Sequence, residues 1–306
     1  ENPRAFQAGL GVDREIFRGF VAGAQLNYVN TVHLERNRDY NLPLPSIVAG
    51  DASQRPNYGL RTRNVRRPLP SLNSVTARES SARSMFRSAT VTAQYRNKWL
   101  QWGSNYTYSE NFSDDDNERD LTAFSYADPQ SFVGDYGYSR LDMRHQVNAY
   151  FVLNLPLGFD VAGSFRARSG LPINPVTGMD NNEEFSMNER PYTAPGVSLA
   201  RNSFRNRATF GNDLRVLKNF VFTERKRLQF SVEFFNLANV DNVVYSGVNG
   251  SSLTGGVYGP GLQSNGQVAV VDPRFMRLRL ADGTYDRTNA QQGTPLQVQL
   301  GLRFYF

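Results

Sequence analysis

The final eleven residues restrict the fold more than any other segment. Leu296, Val298, Leu300, Leu302, Phe304 and Phe306 fall on one face of an extended chain, and Gln297, Gln299, Gly301, Arg303 and Tyr305 on the other. Alternation this strict predicts a β-strand with one apolar face. At about 3.4 Å per residue and a tilt of about 45°, such a strand rises through roughly 25 Å, the height of the apolar band of a transmembrane barrel. Its polar face of amides, glycine and one arginine suits a wet lumen better than a dry core. The alternative is the last strand of a soluble sandwich, where a strand stopping on an exposed Phe is an aggregation hazard.

Composition fits the barrel reading. The sequence has 306 residues and a mean hydropathy of −0.50, and no stretch approaches the length of a transmembrane helix. Barrel strands escape that criterion, because only alternate residues need be apolar. Cysteine is absent, which excludes disulfides, thiolate metal sites and cysteine nucleophiles and fits a periplasm-facing protein. The formal charge of +6 is carried almost wholly by arginine, since Lys98, Lys218 and Lys226 are the only lysines. Arginine suits forked pairing with carboxylates and phosphates. A nucleic-acid partner is not expected, because the arginines are scattered and form no basic helix. The sequence begins at Glu1 without an initiator Met or a signal peptide and is read as a processed or partial chain.

The same alternation recurs along the chain. Residues 4–13 and 18–30 form a first hairpin, connected around Glu15, Ile16 and Phe17. Residues 31–83 follow as a long polar loop with five prolines, Pro43, Pro45, Pro56, Pro68 and Pro70. Residues 85–95 and 99–112 make the next pair around Arg96, Asn97 and Lys98, with Trp99, Trp102, Tyr106 and Tyr108 placed as interface aromatics. An acidic loop, residues 113–120, opens the next connection. Residues 147–153 and 159–167 flank the short turn at Leu155, Pro156, Leu157 and Gly158. A second long loop, residues 169–207, leads to strands 210–222 and 227–237, which turn at Thr223, Glu224, Arg225 and Lys226. A loop rich in Gly, Asn and Ser, residues 239–294, precedes the final strand.

The rhythm is short turn, long loop, repeated four times. Loops this long count against a compact soluble domain but are ordinary on the extracellular side of outer-membrane barrels. The predicted fold is therefore all-β: a transmembrane antiparallel outer-membrane β-barrel of a Gram-negative envelope, with short periplasmic turns and long extracellular loops. About nine strands are expected. Single-chain bacterial barrels close with even numbers, and an open edge in lipid is costly. Residues 1–306 are accordingly read as the C-terminal part of a barrel whose other strands lie outside this sequence.

Several motifs add a family to this reading. Ser139-Arg140-Leu141-Asp142-Met143-Arg144-His145-Gln146-Val147 resembles the D-x-R-H strand start of Oar-like TonB-dependent outer-membrane receptors. Ser169-Gly170-Leu171-Pro172-Ile173 resembles their S-G-x-P loop start. Asp180-Asn181-Asn182, Glu189-Arg190-Pro191 and Arg201-Asn202-Ser203 are similar to their D-x-N, R-P and R-N-S loop pattern. Glu233-Phe234-Phe235-Asn236-Leu237-Ala238-Asn239 resembles the E-F-F-N-L-x-N run before the last large loop. The resemblance covers residues 139–306 well and the first 138 residues in rhythm only. It implies a TonB-dependent transport barrel, not an enzyme, working by plug displacement on a cargo the sequence does not name. No plug or TonB box is recognised in these residues, so TonB is expected to act through parts outside them. The aromatic C-terminus, Leu302, Phe304 and Phe306, resembles the signal that outer-membrane proteins present to the barrel-assembly machinery. Outer-membrane lipid and lipopolysaccharide are the other expected partners. The alternatives are a structural or adhesive barrel without active transport and a soluble all-β binding module.

Candidate sites are few. Of the two histidines, His33 and His145, the second, beside Arg144 and Asp142, is placed either as an acid/base group or as a side chain that orders the strand start through hydrogen bonds. No nucleophile elbow, Walker loop or zinc pattern occurs. Asp180, Asn182 and Glu184 alternate, as do Asp114 and Asp116, and such oxygens are able to hold Ca²⁺. An acidic solvated loop is the competing reading, since the Gly and the distant Glu of an EF-hand are absent. Gln25, Asn27, Gln94, Gln101, Asn105, Arg166, Arg168, Gln229, Glu233 and Arg303 fall on the polar strand faces, expected to line the lumen.

Overall fold

The computed structural model describes residues 1–63, 65–115, 126–223, 226–246 and 256–306. Nine long strands dominate it: β1 (Arg4–Phe17), β2 (Phe20–Asp39), β3 (Thr76–Arg96), β4 (Leu100–Ser113), β5 (His145–Leu155), β6 (Phe159–Arg168), β7 (Thr209–Val221), β8 (Arg227–Phe235) and β9 (Gln297–Tyr305). They pair antiparallel in chain order, with the short strand Gly137–Tyr138 added beside β4. Among the described residues the sheet is open, and β1 and β9 each keep one unpaired edge.

Opposed residues in an antiparallel pair share a face, so the register carries both patterns across the sheet. One apolar row runs Val12, Ala24, Val91, Tyr106, Val147, Ala167, Phe210. Another runs Leu100, Leu153, Val161, Val216, Val232, Leu300. A polar row on the opposite face includes Thr92, Asn105, Asn148 and Arg166. Two glycines make room for rings on these faces. A Cβ at Gly163 would strike Phe151 on the apolar side, and one at Gly103 would strike Tyr150 on the polar side.

The turns at one end are short. Gly19, at φ 83°, closes the first, and its N–H donates to Glu15 Oε1 at 2.9 Å. The turn therefore sits at Arg18 and Gly19, and β1 continues through the residues expected to form the connection. Between β3 and β4, Asn97 Oδ1 accepts from the N–H groups of Trp99 and Leu100, both at 2.8 Å. Glu224 and Arg225 of the expected fourth turn, and residues 116–120 of the acidic loop with Asp116, lie outside the described residues.

The first long loop is shorter than its polarity predicts. β2 runs on to Asp39 and β3 starts at Thr76, so both ends of the stretch 31–83 are strand. A bulge at His33, φ 60°, shifts the register where the apolar alternation ends. Beyond it, past the buried pair Leu34 and Ala82, the two strands are mostly polar on both faces and are tied by Arg78–Glu35 at 3.2 Å and Arg38–Glu79 at 3.3 Å. Periodicity fails there because both faces are mostly polar, leaving no apolar side to mark.

The buried apolar side chains lie in the loops, not in the nine long strands alone. Leu42, Tyr58, Ile173, Val176, Val243, Tyr245 and Leu262 are all loop residues or belong to two- and three-residue pairings between loops. Phe275 is packed by Phe204 and Tyr258, with centroids at 4.9 and 5.2 Å. A wall one strand thick has a solvent on each side and no core of its own. The loops, stacked over its long-loop end, form a cap that does.

Candidate functional site

The polar face of the sheet carries local hydrogen bonds and ion pairs between neighbouring side chains. Gln25 donates to Asn27 at 3.2 Å, and Asn27 to Ser88 at 3.3 Å. Asn148 donates to Asn105 at 3.0 Å, and Gln229 to Asn219 at 3.0 Å. Arg166 faces Asp213 at 3.6 Å, Arg215 pairs with Glu233 at 3.0 Å, and Arg303 reaches Tyr305 Oη at 3.4 Å. The register puts Gln94 opposite Gly103, Gln101 opposite Val152 and Arg168 opposite Gln146, on the same face. A hollow of about 450 Å³ opens on this side between Gln94, Asn105, Asn148, Tyr150 and Arg166.

At the long-loop rim, residues of the sequence motifs meet one another. Asp142 is fully buried; its carboxylate accepts from the Asn111 N–H at 2.7 Å and pairs with Arg205. The Ser169 hydroxyl accepts from the His145 N–H at 3.1 Å, and the Ser169 N–H returns to the His145 carbonyl at 2.9 Å. Gly170 lies against the Asn206 carbonyl, where any Cβ would collide. Arg201 donates to the carbonyls of Ser113 and Asp135 at 2.8 and 3.0 Å. Asn236, at φ 53°, donates to the carbonyls of Val240 and Thr294, both at 2.9 Å, and Asn239 accepts from the Leu296 N–H at 2.9 Å. These side chains clamp loop starts to strand ends.

His145 belongs to this rim rather than to an acid/base pair with Asp142. Its Nδ1 meets Tyr106 Oη at 2.8 Å, and its ring lies 5.4 Å from that of Tyr108. Register places all three on the apolar face. His33 Nε2 faces Glu1 at 2.9 Å.

The cap beyond the rim holds buried charge. Arg190 pairs with Asp135 and donates to the Gly134 carbonyl at 3.0 Å. Arg36 pairs with Asp114 at 2.9 Å and lies over the Phe132 ring at 4.2 Å. The Tyr58 hydroxyl donates to Asp128. Burial and the neighbouring Glu189 push the Glu184 carboxyl up to about 8, and burial pushes Glu189 up to about 7. Sequence reasoning missed Arg36, Arg55, Tyr58, Asp128 and Asp135, which carry no motif or period.

The expected cation site at Asp180, Asn182 and Glu184 is not assembled. Asp180 Oδ1 accepts from the Glu184 N–H and Oδ2 from the Phe185 N–H, each at 3.0 Å, while Arg61 holds Oδ2 at 2.9 Å. Asn182 Oδ1 accepts from the Glu184 N–H at 3.3 Å. The alternating oxygens shape a turn, and among the described residues no group of three acidic or histidine side chains is arranged to hold a metal.

On the apolar face, Leu302 and Phe304 stand opposite Phe230 and Leu228, and Phe306 is 94% exposed. Trp102, Tyr106 and Tyr108 lie on the same face, and Lys98 sits over the Trp99 ring at 5.1 Å.

A family profile described as an outer membrane beta barrel domain matches residues 1–200. No curated protein matches the sequence. Among solved structures, the outer membrane transporter YddB from Escherichia coli is similar at 9% identity and a TM-score of 0.51, over 100% of this chain and 33% of that one. The FrpB iron transporter from Neisseria meningitidis matches at 9% identity and a TM-score of 0.44, over 99% of this chain and 31% of that one. The chain thus spans about a third of the length of these solved structures, and the first of them shares its fold. The chain belongs to the outer membrane beta barrel domain family and is resident in the outer membrane.

Proposed function

We propose that this chain forms the C-terminal wall and outer mouth of an Oar-like, TonB-dependent transport barrel. The observation that carries the reading is the nine-strand register. It keeps one face apolar and the other lined with amides and matched charges, beneath an ordered loop cap. Similarity in fold to an outer membrane transporter supports it, as do the motif residues clamped at the rim. In this reading further strands pair with the free edges of β1 and β9, and a plug rests against Gln25, Asn105, Arg166 and Glu233. TonB, pulling on that plug, opens a path past these side chains. The barrel-assembly machinery reads Leu302, Phe304 and Phe306, and lipopolysaccharide surrounds the rim.

Cysteine is absent from these 306 residues, which permits a direct test. Glu233→Cys in the intact protein, with any cysteine outside these residues replaced by serine, places one thiol on the lumen wall. Whole cells are treated with a membrane-impermeant maleimide with and without an energised inner membrane. Energised cells should label this thiol severalfold faster, because the plug then moves. Equal rates would favour the second reading, a structural or adhesive barrel, which draws support from the apolar loop side chains exposed at Leu44, Val133 and Val270.

A further inference from the structure

Midway along β5 the polar face carries an aromatic ring, Tyr150, which is 44% exposed. Among the described residues of the nine long strands, the other rings of this face lie toward its ends. Phe235 and Tyr305 close β8 and β9, and Phe86 stands opposite Val29, near the bulge at His33. The residue opposite Tyr150 lays its ring across β4. A Cβ at Gly103 would sit 2.6–2.9 Å from Cε1, Cζ and Oη of the tyrosine, so any other residue there would push the ring off the wall. Gly103 is accordingly buried beneath it.

The ring is bordered by uncharged hydrogen-bonding groups. Gln94 lies opposite Gly103 and is exposed. Asn105 and Asn148 form the next row, with Asn148 Nδ2 donating to Asn105 Oδ1 at 3.0 Å. That bond leaves Asn105 Nδ2 and Asn148 Oδ1 without a partner among the described residues, and neither atom is buried. The charges nearby are matched: Arg166 faces Asp213 at 3.6 Å, and Ser164 donates to the same carboxylate at 3.3 Å. A lining without net charge favours neither an anion nor a cation. β4, β5 and β6 are central strands whose backbone groups are taken by the ladder, so an extended peptide gains no main-chain bonds here. A pyranose fits both features. Its C–H bonds pack on the negative face of an aromatic ring, and its hydroxyls both donate and accept, as the open amides require.

We propose that this hollow of about 450 Å³ is a subsite for a neutral oligosaccharide, one pyranose stacked on Tyr150 and its hydroxyls bonded by Gln94, Asn105 and Asn148. Small-molecule clefts of about 300–1,000 Å³ are of this size. Such a ligand is a cargo class for the proposed transport barrel, and its site rests on that reading of the polar face as lumen. The plug then rests on the margin of the hollow, at Asn105 and Arg166, and the sugar occupies the space over Tyr150.

The test uses the intact protein extracted from outer membranes in lauryldimethylamine oxide, since glucoside and maltoside detergents would themselves offer pyranose rings. Equilibrium dialysis compares four probes. Cellotriose has equatorial hydroxyls that leave both ring faces to C–H bonds; sorbitol has hydroxyls but no ring; trialanine is a peptide; salicylate is a flat aromatic anion. Cellotriose should bind, and the other three about tenfold or more weaker. Tyr150→Ala should weaken cellotriose about tenfold or more, and Tyr150→Phe about threefold or less, because the ring is kept. Gly103→Ala should also weaken it, by lifting the ring while every polar group stays. Heat-modifiable gel migration confirms that each variant is folded. Absence of cellotriose binding, or equal binding of sorbitol, trialanine or salicylate, overturns the proposal on the native protein without recourse to variants. Unchanged affinity in a folded Tyr150→Ala protein overturns it as well. Dialysis needs no energised membrane, so its failure is distinct from a failure of the labelling at Glu233→Cys.

Discussion

Leu300 and Gln299 are neighbours in sequence but lie on opposite faces of the sheet. Leu300 stands opposite Val232 on the apolar face, and Gln299 opposite Glu233 on the polar one. Leu300→Arg should therefore cost about 2–4 kcal/mol, as for arginine near the bilayer midplane. Gln299→Arg should cost much less. Urea titration in lipid vesicles measures both, and equal costs would contradict the assignment of faces. Glu184 illustrates burial without a partner in the cap. Its Oε1 is buried and unbonded, and its carboxyl is pushed up to about 8. A raised carboxyl pKa means that the folded state holds a proton the unfolded chain has lost. The associated stability is full below the ordinary carboxyl value and is lost as pH rises through about 7 and 8, the values for Glu189 and Glu184. Limited proteolysis of residues 169–207 should accelerate between pH 6 and pH 9. Glu184→Gln should flatten that dependence, and a pH-independent cleavage rate in the native protein would remove Glu184 as its source.

At the scale of elements, β2 and β3 each contain two kinds of strand. Below the bulge at His33 they are wall; above it they form a polar ribbon tied by Arg78–Glu35 and Arg38–Glu79. Cross-strand ion pairs contribute roughly 0.2–1 kcal/mol each. Glu79→Lys should thus fray the ribbon locally, speeding amide exchange at residues 34–39 and 76–82 while residues 89–93 stay protected. Loss of protection in both regions would show that ribbon and wall are one cooperative unit. The turn after β8 depends more heavily on one side chain. Asn236 makes three hydrogen bonds, two given and one taken from the Val240 N–H at 3.0 Å, from a left-handed backbone. Asn236→Ala should cost about 2–3 kcal/mol, read as a lower urea midpoint.

At the scale of the molecule, the sheet carries its two faces through nine strands and, among the described residues, remains open. An unpaired row of N–H and C=O groups in hydrocarbon costs several kcal/mol per group. Residues 1–306 expressed alone should therefore associate edge to edge in detergent through β1 and β9. Mass measurement in detergent should give dimers or larger species. A closed, heat-modifiable monomer would show instead that the two edges can meet. Orientation is tested on cells. Protease added outside should cut within residues 31–83 and 169–207 and spare Leu157. Cleavage confined to the short turns would invert the barrel.

Alternation determined the wall. Each wall residue sees lipid or water, and a period of two records which, so the strands, their number and their polar and apolar faces were legible without coordinates. The motifs were legible as a resemblance, but not the work of their side chains, because Asp142 with Arg205 and Ser169 with His145 meet only when loops fold back on the rim. The upper ribbon was hidden because polar residues on both faces leave no period. The cap was decided by tertiary structure alone. Its partners lie far apart in sequence, 55 residues between Arg190 and Asp135 and 88 between Arg201 and Ser113. Nothing local marks a loop arginine such as Arg55 as buried, because burial there is imposed by neighbouring loops and not by its own segment.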